Sequence, residues 1–299
     1  MEQQQVVEPN KSKPIDFPEI QADGMMEISD NEFMLLRNLI YKSFGINLTE
    51  AKRSLLVRRL QSWLKQQGFP SFKSYYDHLT THPNDESFSE LANRITTNYT
   101  FFNREPEHFE HFQRTALPEI AQSHQNQHSY DLRIWCAAAS SGEEPYMLAM
   151  LMMEYFGARY ASWDGGVLAT DISHRALGKA RAGVYNEEQI KTLPVRFKNK
   201  YFKKINAGAW AAEERLKKEI TYRRFNLINA QYPFKKRFDV IFCRNVMIYF
   251  DNQTKDHVIQ RLSDSLRPGG YLYIGHSESI ARGSYGLQYI KPAVYKKVY

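Results

Sequence analysis

Cysteine is nearly absent. Two thiols in 299 residues are too few for a disulfide framework or a cysteine-rich zinc module. Long apolar runs are missing as well: no window approaches the roughly 18 consecutive apolar residues of a membrane span, so no direct membrane insertion is expected. The opening Met1-Glu-Gln-Gln-Gln5 has neither a basic nor an apolar region, which argues against secretion and for a cytoplasmic protein. No internal repeat is visible. The nine histidines are read as offering no metal pattern, and no metal is expected.

What is present bounds the answer from the other side. A 42% hydrophobic, 14% aromatic chain is not disordered throughout, and its length suits one large or two ordinary domains. The net charge of +7 favours an acidic partner. Basic residues gather at Lys198-Asn-Lys200, Lys203-Lys204 and Lys235-Lys-Arg237. No aromatic–basic RNA signature or zinc knuckle accompanies them, so no nucleic-acid partner is expected.

Residues 1–24 carry Pro9, Pro14 and Pro18 without an apolar period and read as a disordered leader. Ser29-Asp-Asn-Glu32 has the spacing of a capping box, with Phe33, Leu36, Leu39 and Ile40 at helical spacing behind it and Gly45 as a stop. Thr49 is placed to cap a second helix through Lys65, ended by Gly68 and Pro70. Further helices are expected over about 71–79, 87–95 and 105–122, making residues 25–124 a small all-helical domain. After the polar stretch Gln125-Asn-Gln-His128, apolar runs at 132–137, 166–171, 238–244 and 270–275 alternate with helical segments. That alternation predicts a parallel sheet with helices on both faces over 130–299. It lapses over about 185–224, read as an inserted subdomain.

The first strand runs into Ala137-Ala-Ala-Ser-Ser-Gly142-Glu-Glu-Pro145. Small residues there let a ligand approach the backbone, although Ala and Ser stand where a dinucleotide fingerprint has glycines. Asp171, at the next strand end, is placed to accept ribose hydroxyls. Glu143 and Glu144 would repel a diphosphate, which disfavours NAD and suits a cofactor carrying positive charge. S-adenosylmethionine fits. The bland alternative is a small-residue turn with acids at a helix start. Cys136 and Cys243 read as buried structural thiols.

Five motifs then occur in order: Ile95-Thr-Thr-Asn-Tyr-Thr-Phe-Phe-Asn-Arg104-Glu, Trp135-Cys-Ala-Ala-Ala-Ser-Ser-Gly-Glu-Glu-Pro-Tyr146, Ala169-Thr-Asp-Ile172, Phe238-Asp-Val-Ile-Phe-Cys-Arg-Asn-Val-Met-Ile-Tyr-Phe250 and Gly275-His-Ser-Glu-Ser279. Over about 26–299 the chain resembles the CheR-type chemotaxis receptor methyltransferases. The resemblance implies a Rossmann-like class I S-adenosylmethionine-dependent methyltransferase domain of the α/β class, with a small β-subdomain insertion and a preceding all-α domain. It implies methyl transfer to glutamates of the chemoreceptor cytoplasmic helical bundle, with S-adenosylhomocysteine as product. It also implies a cofactor set of Asn98, Thr100, Arg104, Glu143 or Glu144, Asp171, Asn226, Leu227, Arg244 and Asn245. Arg104, Arg244 and Tyr249 are then the candidates to handle the reacting carboxylate. Asn103 stands between Phe102 and Arg104, where the family keeps Phe-Phe-Arg contiguous.

Some of this chemistry follows without the family. Methyl transfer from a sulfonium needs a nucleophile held about 3 Å from the methyl carbon. A glutamate with a pKa near ~4.3 is already ionised at neutral pH, so no general base is required. A site for it must orient the carboxylate and exclude water. Arg244 could instead be a structural arginine paired with Asp239 or Asp251, and Tyr249 a core residue. His276 reads as a loop hydrogen-bonding residue.

Lys52, Arg53, Arg58 and Arg59 suggest either a solvated basic face or, by the resemblance, a docking face for an acidic receptor helix. In some family members the inserted subdomain holds a tethering peptide at the receptor C-terminus by strand addition. A monomer is expected. Two other readings stay in view: an RNA- or amine-directed enzyme of the same fold, and a non-catalytic adenosylmethionine sensor.

Overall fold

The computed structural model describes residues 26–299, so the leader expected over 1–24 lies outside the described residues. Helix α1 (Asp30–Phe44) starts at the anticipated capping box: the Ser29 hydroxyl accepts from Glu32 N–H, and the Glu32 carboxylate accepts from Ser29 N–H at 2.9 Å. Gly45, at φ +70°, ends it. A 3-10 turn over Glu50–Lys52 precedes α2 (Arg53–Gln66), and the Thr49 side chain makes no capping bond, contrary to expectation. Helices α3 (Phe72–Thr81) and α4 (Asp85–Ile95) complete a bundle. Its core holds Phe33, Leu36, Ile40, Leu56, Leu60 and Leu79.

The helix expected over 105–122 is composite. Helix α5 (Pro106–His111) passes through one π turn, Phe112–Ala116, into α6 (Leu117–Asn126), which absorbs the start of the stretch read as a linker. Pro118 explains the widening. It has no N–H for the Arg114 carbonyl and its ring would strike that oxygen.

The second layer system opens with β1 (Asp131–Cys136), α7 (Glu143–Phe156), β2 (Asp164–Asp171) and α8 (His174–Ala182). An excursion follows through β3 (Val184–Asn186), α9 (Glu187–Ile190), α10 (Val195–Tyr201), β4 (Phe202–Asn206), β5 (Ala209–Ala212) and α11 (Glu214–Lys217). The chain returns as β6 (Ile220–Arg224), β7 (Phe238–Phe242), α12 (Asn252–Ser265), β8 (Leu266–Tyr273), β9 (Leu287–Lys291) and β10 (Val294–Lys297). The seven-stranded sheet has the order β6-β2-β1-β7-β8-β10-β9, and β3-β5-β4 form a separate antiparallel sheet. Because Ile220–Arg224 pair in parallel with Val167–Asp171, the stretch over about 185–224 is not all insertion; its last strand belongs to the main sheet.

Strand alternation divides the core. Ile134 and Cys136 face α7, whereas Trp135 and Ile241 face Val258, Ile259 and Leu262 of α12. The order of strands reverses at β1, flanked by β2 and β7. Loops leaving those strand ends therefore diverge and open a crevice at their carboxyl ends. The helical bundle closes over it, with Ile172 and Tyr249 packed against the bundle core.

Candidate active site

The floor of the crevice begins where β1 ends. Ala139 N–H donates to Thr170 O at 2.9 Å, which ties the loop to β2. Gly142 sits at φ +99°, and a Cβ there would lie 2.9 Å from Ala180 Cβ, so α7 packs against α8 only with glycine at its start. Asp171, at the end of β2, accepts from Ser140 N–H at 2.8 Å and Ser173 N–H at 2.9 Å. Burial pushes its pKa up, and those N–H groups work in the opposite direction.

Consecutive helical residues project about 100° apart, and this separates the two expected acids. Glu144 lines the crevice, accepting from Cys136 Sγ at 3.0 Å and Arg244 Nη1 at 2.5 Å. Glu143 does not line it. Its side chain is fully buried, accepts from Ser141 Oγ at 2.7 Å, and burial raises its pKa. Both thiols are buried, and burial pushes them up.

Arg244 follows β7 and is the hub of the floor. Its guanidinium is 3% exposed. It donates to Glu144, to Glu105 Oε2 at 3.0 Å and to Arg104 O at 2.5 Å. Neither Asp239 nor Asp251 is its partner: Asp239 pairs with His124 and Arg267, while Asp251 caps α12. Burial alone would lower the Arg244 pKa, but Glu144 and Glu105 raise it on balance. Burial opposes the ionised form of Glu105 too, yet Arg244 and the Asn245 amide hold that carboxyl below its ordinary range. Asn245 sits at φ +56°, and a Cβ on Gly275 would collide with its side chain.

Glu278 fixes this turn, accepting from the backbone N–H groups of Gly275 (2.6 Å), Met247 (2.7 Å) and Asn245 (3.1 Å). Sequence reasoning placed Glu278 in a motif but gave it no role. The three amides it gathers come from two segments, so the local spacing carries no signal of them.

The roof is the segment after α4. Asn98, Thr100 and Arg104 line the crevice, as do Asn226, Leu227, Asn245 and Tyr249. Asn103, at φ +60°, turns the chain so that Arg104 Nη1 donates to Tyr99 O at 3.1 Å. Asn226 Nδ2 donates to Ser43 O at 2.8 Å, stitching the roof bundle to the floor. The cavity encloses about 960 Å³ including its mouth.

The four basic candidates, Lys52 just before α2 and three on it, divide. Arg53 pairs with Asp30 at 2.7 Å and with Glu50, and its guanidinium lies over the Phe33 ring. Arg59 donates to Ile95 O and, at 2.6 Å, to Thr97 Oγ1 beneath the roof. The side chains of Lys52 and Arg58 make no hydrogen bond or ion pair among the described residues; Arg58 is exposed and Lys52 half-buried. The expected four-residue face is thus reduced to two outward charges.

The crevice suits S-adenosylmethionine chemically. Asp171 offers a carboxylate for a ribose diol, and Phe225, Leu227 and Ile172 offer apolar walls for a purine. Glu144, already ordered by Arg244, offers an anionic oxygen for an ammonium. Glu144, in the first turn of α7, also sets a carboxylate where a dinucleotide would place its diphosphate.

A family model described as "CheR methyltransferase, SAM binding domain" matches residues 98–294, and one described as "CheR methyltransferase, all-alpha domain" matches 31–96. The chain is 41% identical over 272 residues to a chemotaxis protein methyltransferase of Borreliella burgdorferi, covering 91% of this chain and 96% of that one. It is 35% identical to the chemotaxis protein methyltransferase of Escherichia coli, over 88% of this chain and 89% of the relative. Among the described residues no helix is long and apolar enough to cross a membrane.

Proposed function

The chain belongs to the CheR methyltransferase family, and from that premise we propose that it methylates glutamate side chains of chemoreceptor cytoplasmic domains. It is an S-adenosylmethionine-dependent methyltransferase acting in chemotaxis, and the products are glutamate methyl esters and S-adenosylhomocysteine. The observation that supports the reading best is the meeting of Asp171 and Glu144 from the floor with Asn98, Thr100 and Arg104 from the roof around one crevice.

When bound, S-adenosylmethionine supplies an electrophilic methyl group. Asp171 holds the ribose and Glu144 the ammonium; Asn226 and Leu227 line the adenine end, with Asn98, Thr100 and Asn245 closing the sides. Arg244 is a positioning residue here. Its donors are committed to Glu105, Glu144 and Arg104 O, so it fixes Glu144 rather than clamping the substrate carboxylate. Arg104 and Tyr249, partly exposed at the cavity wall, are placed to orient the incoming glutamate. An ionised glutamate needs no base; the work of the site is alignment and exclusion of water.

Lys52 and Arg58 meet the acidic receptor bundle. The edge of the small sheet at β4 takes a receptor C-terminal tethering peptide by strand addition, and the enzyme acts as a monomer. Removing residues 195–218 would be a poor test of the tether, because Phe197, Tyr201, Phe202 and Leu216 belong to the main core. Ile205→Pro on the exposed β4 edge is cleaner. It should weaken methylation of receptors that carry a tethering segment while leaving cofactor affinity unchanged.

The deciding experiment uses methyl-labelled S-adenosylmethionine and a receptor cytoplasmic fragment, followed by mild alkali and capture of volatile methanol. Labelled methanol that disappears in Asp171→Ala is the expected result. Alkali-stable label would return the amine or RNA reading. No label with intact cofactor binding would favour the sensor.

A further inference from the structure

We propose that Glu105, His108 and His276 form a binding site for a divalent transition-metal ion of the zinc class, directly behind the active-site arginine. The three side chains offer one ligand atom each, all within 4.8 Å of one another. They come from two segments: Glu105 and His108 at the start of α5, one turn apart, and His276 from the loop after β8.

His108 is the observation that points to a ligand. Its side chain is completely buried, yet neither ring nitrogen has a hydrogen-bond partner among the described residues. Nδ1 approaches Glu105 Oε2 at 3.4 Å without hydrogen-bond alignment, and the His276 ring meets it edge to face at 4.7 Å. Buried polar nitrogens are almost always satisfied, and an unpartnered imidazole nitrogen beside a carboxylate and a second imidazole belongs to a donor set that zinc takes.

Geometry and access agree. Zinc bonds of about 2.0–2.2 Å place ligand atoms about 3.3–3.5 Å apart, so a cluster spread over 4.8 Å must contract by up to about 1.5 Å, which the exposed His276 loop can supply. Glu105 already accepts from Arg244 and, through Oε1, from Asn245 Nδ2 at 3.1 Å. With Arg244 Nε and the His276 N–H donating to it as well, its about four acceptor directions are taken, so an ion beside His108 must displace an Arg244 donor at Oε2. The solvent side at His276 leaves a fourth position for water.

Occupancy has a consequence that rests on the methyltransferase reading. A cation on Glu105 competes with Arg244 for the same carboxylate and repels the guanidinium that orders Glu144. Metal binding should therefore depress methyl transfer.

The test titrates the full, untagged chain with Zn²⁺ against a chromogenic chelator, and with Co²⁺ as a spectroscopic substitute. Stoichiometric Zn²⁺ binding and a visible Co²⁺ ligand-field band are expected. His276→Ala, on an exposed loop outside the cofactor crevice, should weaken Zn²⁺ binding by more than the about 10–100-fold that loss of an outer-shell partner costs. His78→Ala, in the His78/His82 pair at the end of α3, should leave it unchanged. Failure of the wild-type chain to compete with the chelator, or equal affinity in His276→Ala, would overturn the proposal. In the methyl-transfer assay, Zn²⁺ inhibition should be reversed by chelation and escaped by His276→Ala; inhibition unchanged in that variant would also overturn it. A metal-free chain that transfers no methyl group would sink the functional reading while leaving the binding result to stand.

Discussion

Two arginine-bearing regions of this protein look alike in sequence and behave oppositely in the fold. The floor holds Arg244, which is buried, ordered by two carboxylates and cut off from solvent. The basic face of α2 begins with four cations, of which Arg53 and Arg59 turn back onto the protein while Lys52 and Arg58 remain outside. A buried charge must be paired, and its worth shows when a partner is removed. An exposed charge makes little stability and acts through long-range attraction. The same residue type thus serves the interior as architecture and the surface as recognition.

The sharpest way to break this comparison is Arg244→Met, which leaves Glu105 and Glu144 facing each other without a counter-ion. Urea unfolding should show a loss of about 3–5 kcal/mol, the range for breaking a buried pair. A loss within about 0.5 kcal/mol would mean that the floor is no more structural than the surface. Glu144→Gln is milder. It keeps the shape but removes a charged acceptor worth about 1.5–3 kcal/mol, so S-adenosylmethionine affinity measured by calorimetry should fall about 10–100-fold. The same substitution at Glu143, which lies outside the crevice, should leave that affinity near wild type.

Acid separates the two regions again. The folded-state pKa of Glu105 lies below its ordinary value. The stability that its pairing contributes is therefore present above the unfolded carboxylate's value, about 4.3, and is lost as pH falls through the lower folded one. Wild type and Glu105→Gln should differ most at neutral pH, and the gap should close as the medium is acidified below about 4. A gap that widens in acid would reverse the sign and refute the pairing.

Much of the architecture could be read before the fold was seen, because its signals are local. Ser29 and Glu32 cap α1 across three residues, and Trp135 and Ile241 alternate with their neighbours within single strands. The failures have two physical origins, local backbone geometry and contacts between distant segments. Thr49 has capping chemistry, but a 3-10 turn starts the helix differently. Glu143 and Glu144 are indistinguishable in sequence, and the helical rotation between them decides which one lines the crevice. Glu278 gathers amides from two segments, and Glu105 meets His276 across 171 positions; no spacing rule reaches that far. The β-subdomain boundary was blurred because β6 finds its partner in β2, some fifty residues earlier in the chain.

The smallest expected effect belongs to Arg58, and it tests the outer half of the comparison. Its side chain has no ion pair to lose among the described residues, so Arg58→Ala should unfold with the wild-type midpoint. Against a receptor fragment at low ionic strength, the variant should show a raised KM with kcat unchanged, because a rim charge acts on encounter rather than on chemistry. Added salt screens exposed charges over about 8–10 Å, so the difference between wild type and variant should shrink as ionic strength rises. Arg53→Ala supplies the contrast. That guanidinium is already occupied by Asp30 and Glu50, and its removal should leave the salt dependence of KM alone. Equal salt slopes for the two variants would mean that α2 docks nothing, and the surface cations would then be solvated charge without a partner.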